Sequence, residues 1–165
     1  MEYPPDMVTI FTQLIIAFAL GALLGLERLI ARKEAGMRTF GIVAISSCLF
    51  VIIGENVAHS YVGIFNVDPL RMASSIVTGI GFIGAGLIIF QHELKGLTTA
   101  ATLWAASAIG ITVGFGYYAI ASFATFLVLF VCVAIWHFER FIERVTTQRG
   151  ISTREASHSK SKRYQ

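Results

Sequence analysis

The stretch Val8–Leu26, VTIFTQLIIAFALGALLGL, decides the fold. It carries no charge over about 19 residues, the length a helix needs to cross ~30 Å of hydrocarbon. Four more apolar runs of similar length follow it, at Thr39–Ala58, Arg71–Phe90, Leu97–Phe115 and Tyr117–Trp136. Numbering the segments between them by side gives a sharp split. Twelve of the 13 lysines and arginines fall on one side: Arg28, Arg32, Lys33 and Arg38 in the first loop, Lys95 in the third, and seven in the tail from Arg140 to Arg163, with Arg71 alone on the other. The positive-inside bias then predicts an outside amino terminus and a cytoplasmic carboxyl terminus. A four-span or six-span count would spoil the split, so span number and orientation support each other.

Composition agrees. Of 165 residues, 55% are hydrophobic, and the mean hydropathy of +0.70 lies well outside soluble norms. The sequence predicts one transmembrane domain over residues 1–145 and a disordered, basic, cytoplasmic tail over 146–165, rich in Ser, Thr, Arg and Lys and poor in large apolar residues. The net charge of +3 reads as topological signal beside anionic headgroups rather than as a nucleic-acid surface. The first span does not read as a cleaved signal peptide, because Glu2 and Asp6 precede it where positive charge is expected and no small-residue cleavage pattern follows. Cys48 and Cys132 both lie inside spans, which predicts small buried side chains rather than a disulfide or a metal site.

Helix packing in lipid relies on small residues that let backbones approach. Ala17, Gly21 and Gly25 recur every four residues in the first span, and Arg28 continues their stripe, facing protein or snorkelling to the headgroups. The third span holds Gly79, Gly81, Gly84 and Gly86. The fourth repeats small residues at Thr98, Thr102, Ala106, Gly110 and Gly114. These two helices are expected to form a hairpin at the bundle centre. Gly79-x-Gly81-x-x-Gly84 matches a dinucleotide fingerprint in letters only, since it sits inside an apolar run and not at a strand-to-helix turn. Asp68-Pro69 reads as the N-cap and first position of the third helix. Ser46 and Ser47 are expected to bond back to their own helix. Glu55 and Arg71 are placed at the outer ends of the second and third spans, where they could pair. The fifth span, with Phe123, Phe126, Leu127 and Phe130, reads as peripheral and lipid-facing.

No span carries an acid near its centre, so an acid-lined ion path is not visible; a path lined by backbone carbonyls of the third helix stays open. Neither G-x-S-x-G nor H-E-x-x-H occurs, and the four histidines fall in loops, at a span end or in the tail. The chain does not read as an enzyme.

Four motifs in order resemble the MgtC/SapB family: Gly25-Leu26-Glu27-Arg28, Ala35-Gly36-Met37-Arg38-Thr39, Arg71 with Ile76 to Gly86, and Gly96 to Trp104. The resemblance covers about residues 10–135. It implies a bacterial inner-membrane protein linked to growth at low magnesium and, in some pathogens, to survival inside macrophages. The family was historically labelled a magnesium transporter subunit, and some members are thought to bind and restrain other membrane proteins. Many members carry a soluble carboxy-terminal domain where this chain has a short tail, so it resembles a short form. Position 98 is Thr where some members have Asn, and position 105 is Ala where some have Cys.

The expected protein is therefore a five-helix membrane regulator that binds another membrane protein or itself. Glu27, Arg28, Arg38, Lys95 and Thr98 form its cytoplasmic face, Arg71 and Glu55 an outer contact, and Gly21, Gly25, Gly79, Gly81, Gly84, Gly86 and Gly110 its packing points. No cofactor is assigned; magnesium enters as ligand or signal without residues. The alternative is a magnesium or other cation transporter using the glycine-rich third helix.

Overall fold

The computed structural model describes residues 6–60, 68, 70–91 and 93–138, with 89–91 and 93–94 described by backbone alone. Five helices dominate: α1 Met7–Ile30, α2 Met37–Ser60, α3 Leu70–Gly86, α4 Leu97–Gly114 and α5 Tyr118–Phe138. Four of them, α1, α2, α4 and α5, are long and apolar enough to cross a membrane. This is an all-α, multi-pass membrane protein.

The third helix is the exception. Expected over Arg71–Phe90, it has 17 residues and ends at Gly86, about 26 Å of rise and the short limit for a spanning helix. The chain then forms two three-residue strands, β1 Ile89–Gln91 and β2 Glu93–Lys95, paired antiparallel with Ile89 opposite Lys95. Gly96, at φ 88°, returns the backbone into α4; a Cβ there would lie 2.0 Å from the Leu87 carbonyl oxygen, so the turn requires glycine. Asp68 caps α3 as expected, its Oδ1 accepting the Leu70 N–H at 2.9 Å.

The chain divides into two units, residues 1–129 and residues 130–165. In the first, α1, α2 and α4 pack most extensively on one another. Ala17, Leu24, Phe40, Ala44, Cys48, Leu103, Ala106 and Val113 are fully buried among them. The seams are built on glycine. A Cβ on Gly21 would lie 2.6 Å from Ala44 Cβ, and one on Gly25 would lie 2.6 Å from Met37 Cα, so α1 and α2 run antiparallel in close contact. A Cβ on Gly110 would meet the Ala44 carbonyl oxygen at 2.2 Å, and one on Gly114 would meet Val51, so α2 and α4 run parallel. Lipid offers these faces no hydrophobic drive; close van der Waals approach is what small residues supply.

The expected central hairpin of α3 and α4 is not what forms. The small-residue stripe of α4 packs on α2, and only Ile80 and Gly84 of α3 are buried. Gly84 makes ordinary contact with Ala100, whereas Gly79, Gly81 and Gly86 have no atom within 4 Å of an added Cβ, so the packing expected at these three is not made among the described residues. The cause is direction: α3 turns Gly84 toward α4 and Gly79, Gly81 and Gly86 away from it.

Within the first unit, α5 buries Ala121 and Thr125 and exposes Phe123, Phe126 and Leu127. The Thr125 hydroxyl donates to the Ala121 carbonyl, and Thr12, Thr78, Thr102 and Thr112 make the same turn-back bond on their own helices, which satisfies each hydroxyl in an apolar surround. In the second unit, the Trp136 and His137 rings meet edge-on with centroids 4.8 Å apart. The expected disordered tail at 146–165 lies outside the described residues.

Candidate functional site

The site is the end of the bundle where α1 stops and α2 starts. The last turn of α1 closes in a Schellman arrangement. The Lys33 N–H donates to the Arg28 carbonyl at 2.9 Å and the Arg32 N–H to the Leu29 carbonyl at 3.1 Å. Arg32 occupies the left-handed position at φ 54°, where glycine is the usual residue. Ala35, 3% exposed, anchors the loop, and Gly36 begins α2, its carbonyl accepting the Phe40 N–H.

Gly25 is the point of closest approach, its face pressed against Gly36 and Met37. Arg28 stands one turn further along the same stripe and is buried, at 3% exposure, rather than snorkelling. Its Nε donates to the Glu27 carboxylate, the single ion pair among the described residues. Glu27 is half-buried, whereas Arg32, Lys33, Glu34 and Arg38 are exposed around the pair. A buried ion pair contributes little net stability, but removing one partner strands the other's charge. The pair lies within α1 and leaves the neighbouring helices to be held by packing.

Because α2 and α4 are parallel, the start of α4 lies at the same end. Thr98 is exposed there and Lys95, at the end of β2, is exposed as well. No hydrogen bond or ion pair joins either to Arg28 or Arg38 among the described residues. Thr99 and Thr102 on α4 are buried. Of the face expected from sequence, Glu27 and Arg28 form one bonded pair, while Arg38, Lys95 and Thr98 lie exposed at the same end of the bundle without a bond to it among the described residues.

At the opposite end the Glu55–Arg71 pair expected from sequence does not form among the described residues. Arg71 is exposed, and its carbonyl accepts the hydroxyls of Ser74 and Ser75. Gly54 of α2 presses on Met72 of α3, so the two helix ends are close, yet the neighbouring Glu55 and Arg71 side chains make no ion pair among the described residues.

Two polar features went unread in the sequence. Gln13, 6% exposed, donates Nε2 to the carbonyls of Val113 and Gly114 at 3.3 and 3.1 Å, tying α1 to the end of α4. Its being the sole amide in an otherwise apolar span was the available signal. Ser47 does not bond back to its own helix but to Ser107 of α4. No local pattern announces that pairing. Among the described residues no three acids, histidines or cysteines converge as metal ligands. A lateral groove of about 470 Å³ opens between α2 and α3, lined by Ile42, Ser46, Phe50, Ser75, Gly79 and Ile83 among others.

The comparisons with known proteins agree on one family. The MgtC family matches residues 14–141. Protein SapB of Bacillus subtilis is 38% identical over 128 residues, covering 75% of this chain and 55% of that protein. Protein MgtC of Brucella abortus is 36% identical over 135 residues, covering 81% and 54%. YhiD of Escherichia coli, which carries the name of a candidate magnesium transporter, is 38% identical over 121 residues, covering 72% and 56%. The chain spans about half the length of the curated relatives it matches. No solved structure matches it. With the match running over residues 14–141, most of its length, the chain belongs to the MgtC family.

Proposed function

We propose that this chain is a non-enzymatic bacterial membrane protein of magnesium adaptation. In this reading it binds and regulates another membrane protein, or a second copy of itself, through the end of the bundle built on Glu27 and Arg28. That end faces the cytoplasm. The observation that carries the reading is the concentration of charge there: a buried Arg28–Glu27 pair ringed by exposed Arg32, Lys33, Glu34 and Arg38, on spans otherwise free of central acids. Charge that a bundle buries at its rim, beside exposed charge of both signs, suits recognition of a partner more than passage of an ion. The link to magnesium comes from the name that YhiD carries.

That same name favours a second reading, transport of magnesium or another cation, for which the open glycines of α3 are the natural lining. Two experiments separate the readings. Arg28→Gln with Arg38→Gln, in protein shown to insert, should abolish growth support at low magnesium and capture of a partner. Intact growth and capture would sink the regulatory face. Purified protein in liposomes should pass no magnesium; flux lost on Gly81→Leu would select the transporter.

A further inference from the structure

Helices α2 and α3 meet at one end and part along the rest of their length. A Cβ on Gly54 would lie 2.6 Å from Met72 Cγ, which closes that end. Beyond it the two helices run antiparallel and enclose the groove of about 470 Å³, walled by Ile42, Ser46 and Phe50 on α2 and by Ile76, Gly79 and Ile83 on α3. Ser47 also lines it and bonds to Ser107, so α4 backs the groove. Walls without a neighbour forfeit dispersion contacts, and in lipid such packing is most of what association gains.

Dimensions choose the occupant. Ile42 to Phe50 covers about 12 Å of α2, and Arg38 to Phe50 about 18 Å. One leaflet of hydrocarbon is about 15 Å deep. The groove therefore runs from just inside one membrane face to near the midplane, where the Gly54–Met72 contact shuts it. A spanning helix from another protein needs ~30 Å of length and, at about 10 Å across, a section of about 80 Å². Spread over about 12 Å, the groove offers a section of about 40 Å². It is half as long and half as wide as a helix requires, and it suits a flexible apolar chain entering from one leaflet.

Charge at the open end says which kind of chain. Arg38 stands one helical turn before Ile42, at the edge of the groove wall. It is exposed and makes no hydrogen bond or ion pair among the described residues. The Glu27 carboxylate is already paired with Arg28, and Glu34, exposed in the loop before α2, makes no ion pair with Arg38. A helical side chain leans toward its own amino terminus, which here carries the guanidinium out of the hydrocarbon to headgroup level. We propose that the α2–α3 groove binds one acyl chain of an anionic phospholipid whose phosphate rests on Arg38. A cation above an apolar slot of single-leaflet depth is complementary to that lipid in both charge and length. The site goes beyond the regulatory and transport readings and needs neither.

The test uses the full purified chain in detergent micelles. The probes are phosphatidylglycerol and phosphatidylcholine with identical acyl chains, and native mass spectrometry reads their retention. One phosphatidylglycerol per chain, held in preference to phosphatidylcholine, is expected. Gly79→Leu fills the groove from a position where an added Cβ meets no atom within 4 Å, and it should lower retention of both lipids about tenfold. Gly81→Leu adds the same bulk at an equally open position off the groove wall and should change nothing. Arg38→Gln should erase the preference between headgroups while a lipid is still held. If Gly79→Leu does not fold, Ser46→Leu closes the groove from the opposite wall and decides. Equal retention in the groove-filling variant and in Gly81→Leu overturns the site. So does a dimer, seen by light scattering, that Gly79→Leu disperses and Gly81→Leu does not, because the groove then takes a second copy of the chain.

Discussion

Ser47 on α2 and Ser107 on α4 share a hydrogen bond of 2.9 Å in the buried interior of the bundle. It lies between two parallel helices whose backbones nearly touch at Gly110 and Ala44. Hydrogen bonds between membrane helices average ~0.6 kcal/mol and reach ~1.7 kcal/mol, because a freed hydroxyl finds its own helix carbonyl. Ser47→Ala and Ser107→Ala should each cost about 1 kcal/mol. The double variant should cost clearly less than their sum. Unfolding in mixed micelles with dodecyl sulfate measures this coupling, and full additivity would remove the bond from the account.

The glycines divide into two stability classes. Gly110→Ala places a methyl 2.2 Å from a backbone oxygen of α2, which must move. A loss of about 1–3 kcal/mol is expected from such overpacking. Gly81→Ala meets nothing and replaces a poor helix former, so the same assay should give no loss and a gain of up to ~1 kcal/mol. A loss at Gly81 as large as at Gly110 would show that the open face of α3 is covered by another chain.

Arg32 sits at φ 54° in the closing turn of α1. A side chain in the left-handed region costs roughly 1 kcal/mol that glycine avoids. Arg32→Gly should raise the thermal midpoint of the purified protein, whereas Arg32→Ala should leave it nearly unchanged. Equal effects would mean that charge rather than backbone governs the position.

Orientation is open to direct chemistry. Cys48 is fully buried, so it is a silent background once Cys132 is replaced. A cysteine placed at Lys33 should react with a membrane-impermeant maleimide only after permeabilisation. One placed at Tyr117, in the turn between α4 and α5, should react in intact cells. The reverse pattern would invert the topology and move the Arg28 site outside.

Much of this architecture is legible in the chain because lipid imposes strict rules. Uninterrupted apolar length located α1, α2, α4 and α5 to within a few residues, and the Ala17–Gly21–Gly25 stripe pointed to the contact face of α1. Hydropathy could not see where α3 stops, since Leu87 to Phe90 are as apolar after the helix as within it. A glycine also reads the same whether a backbone presses on it, as at Gly110, or open space does, as at Gly81. That difference belongs to the neighbouring helix, not to the residue. The same limit hid the Ser47–Ser107 bond and suggested a Glu55–Arg71 pair that does not form among the described residues. Glu27 and Arg28 were legible as charge, but the burial of Arg28 and its pairing with Glu27 appear only in the packed bundle.

The parallel α2–α4 seam dictates an order of assembly. During synthesis α1 and α2 leave the ribosome first, and their antiparallel hairpin closes through contacts local in sequence. The partner of α2 on its other face arrives only after α3 has carried the chain back to begin α4. In that interval Ala44, Ser47 and Val51 line an unfilled trough in the bilayer. The half-made protein therefore passes through a stage in which Ser47 turns back on its own helix beside a stripe of bare backbone, and the arrival of α4 exchanges that bond for the one to Ser107.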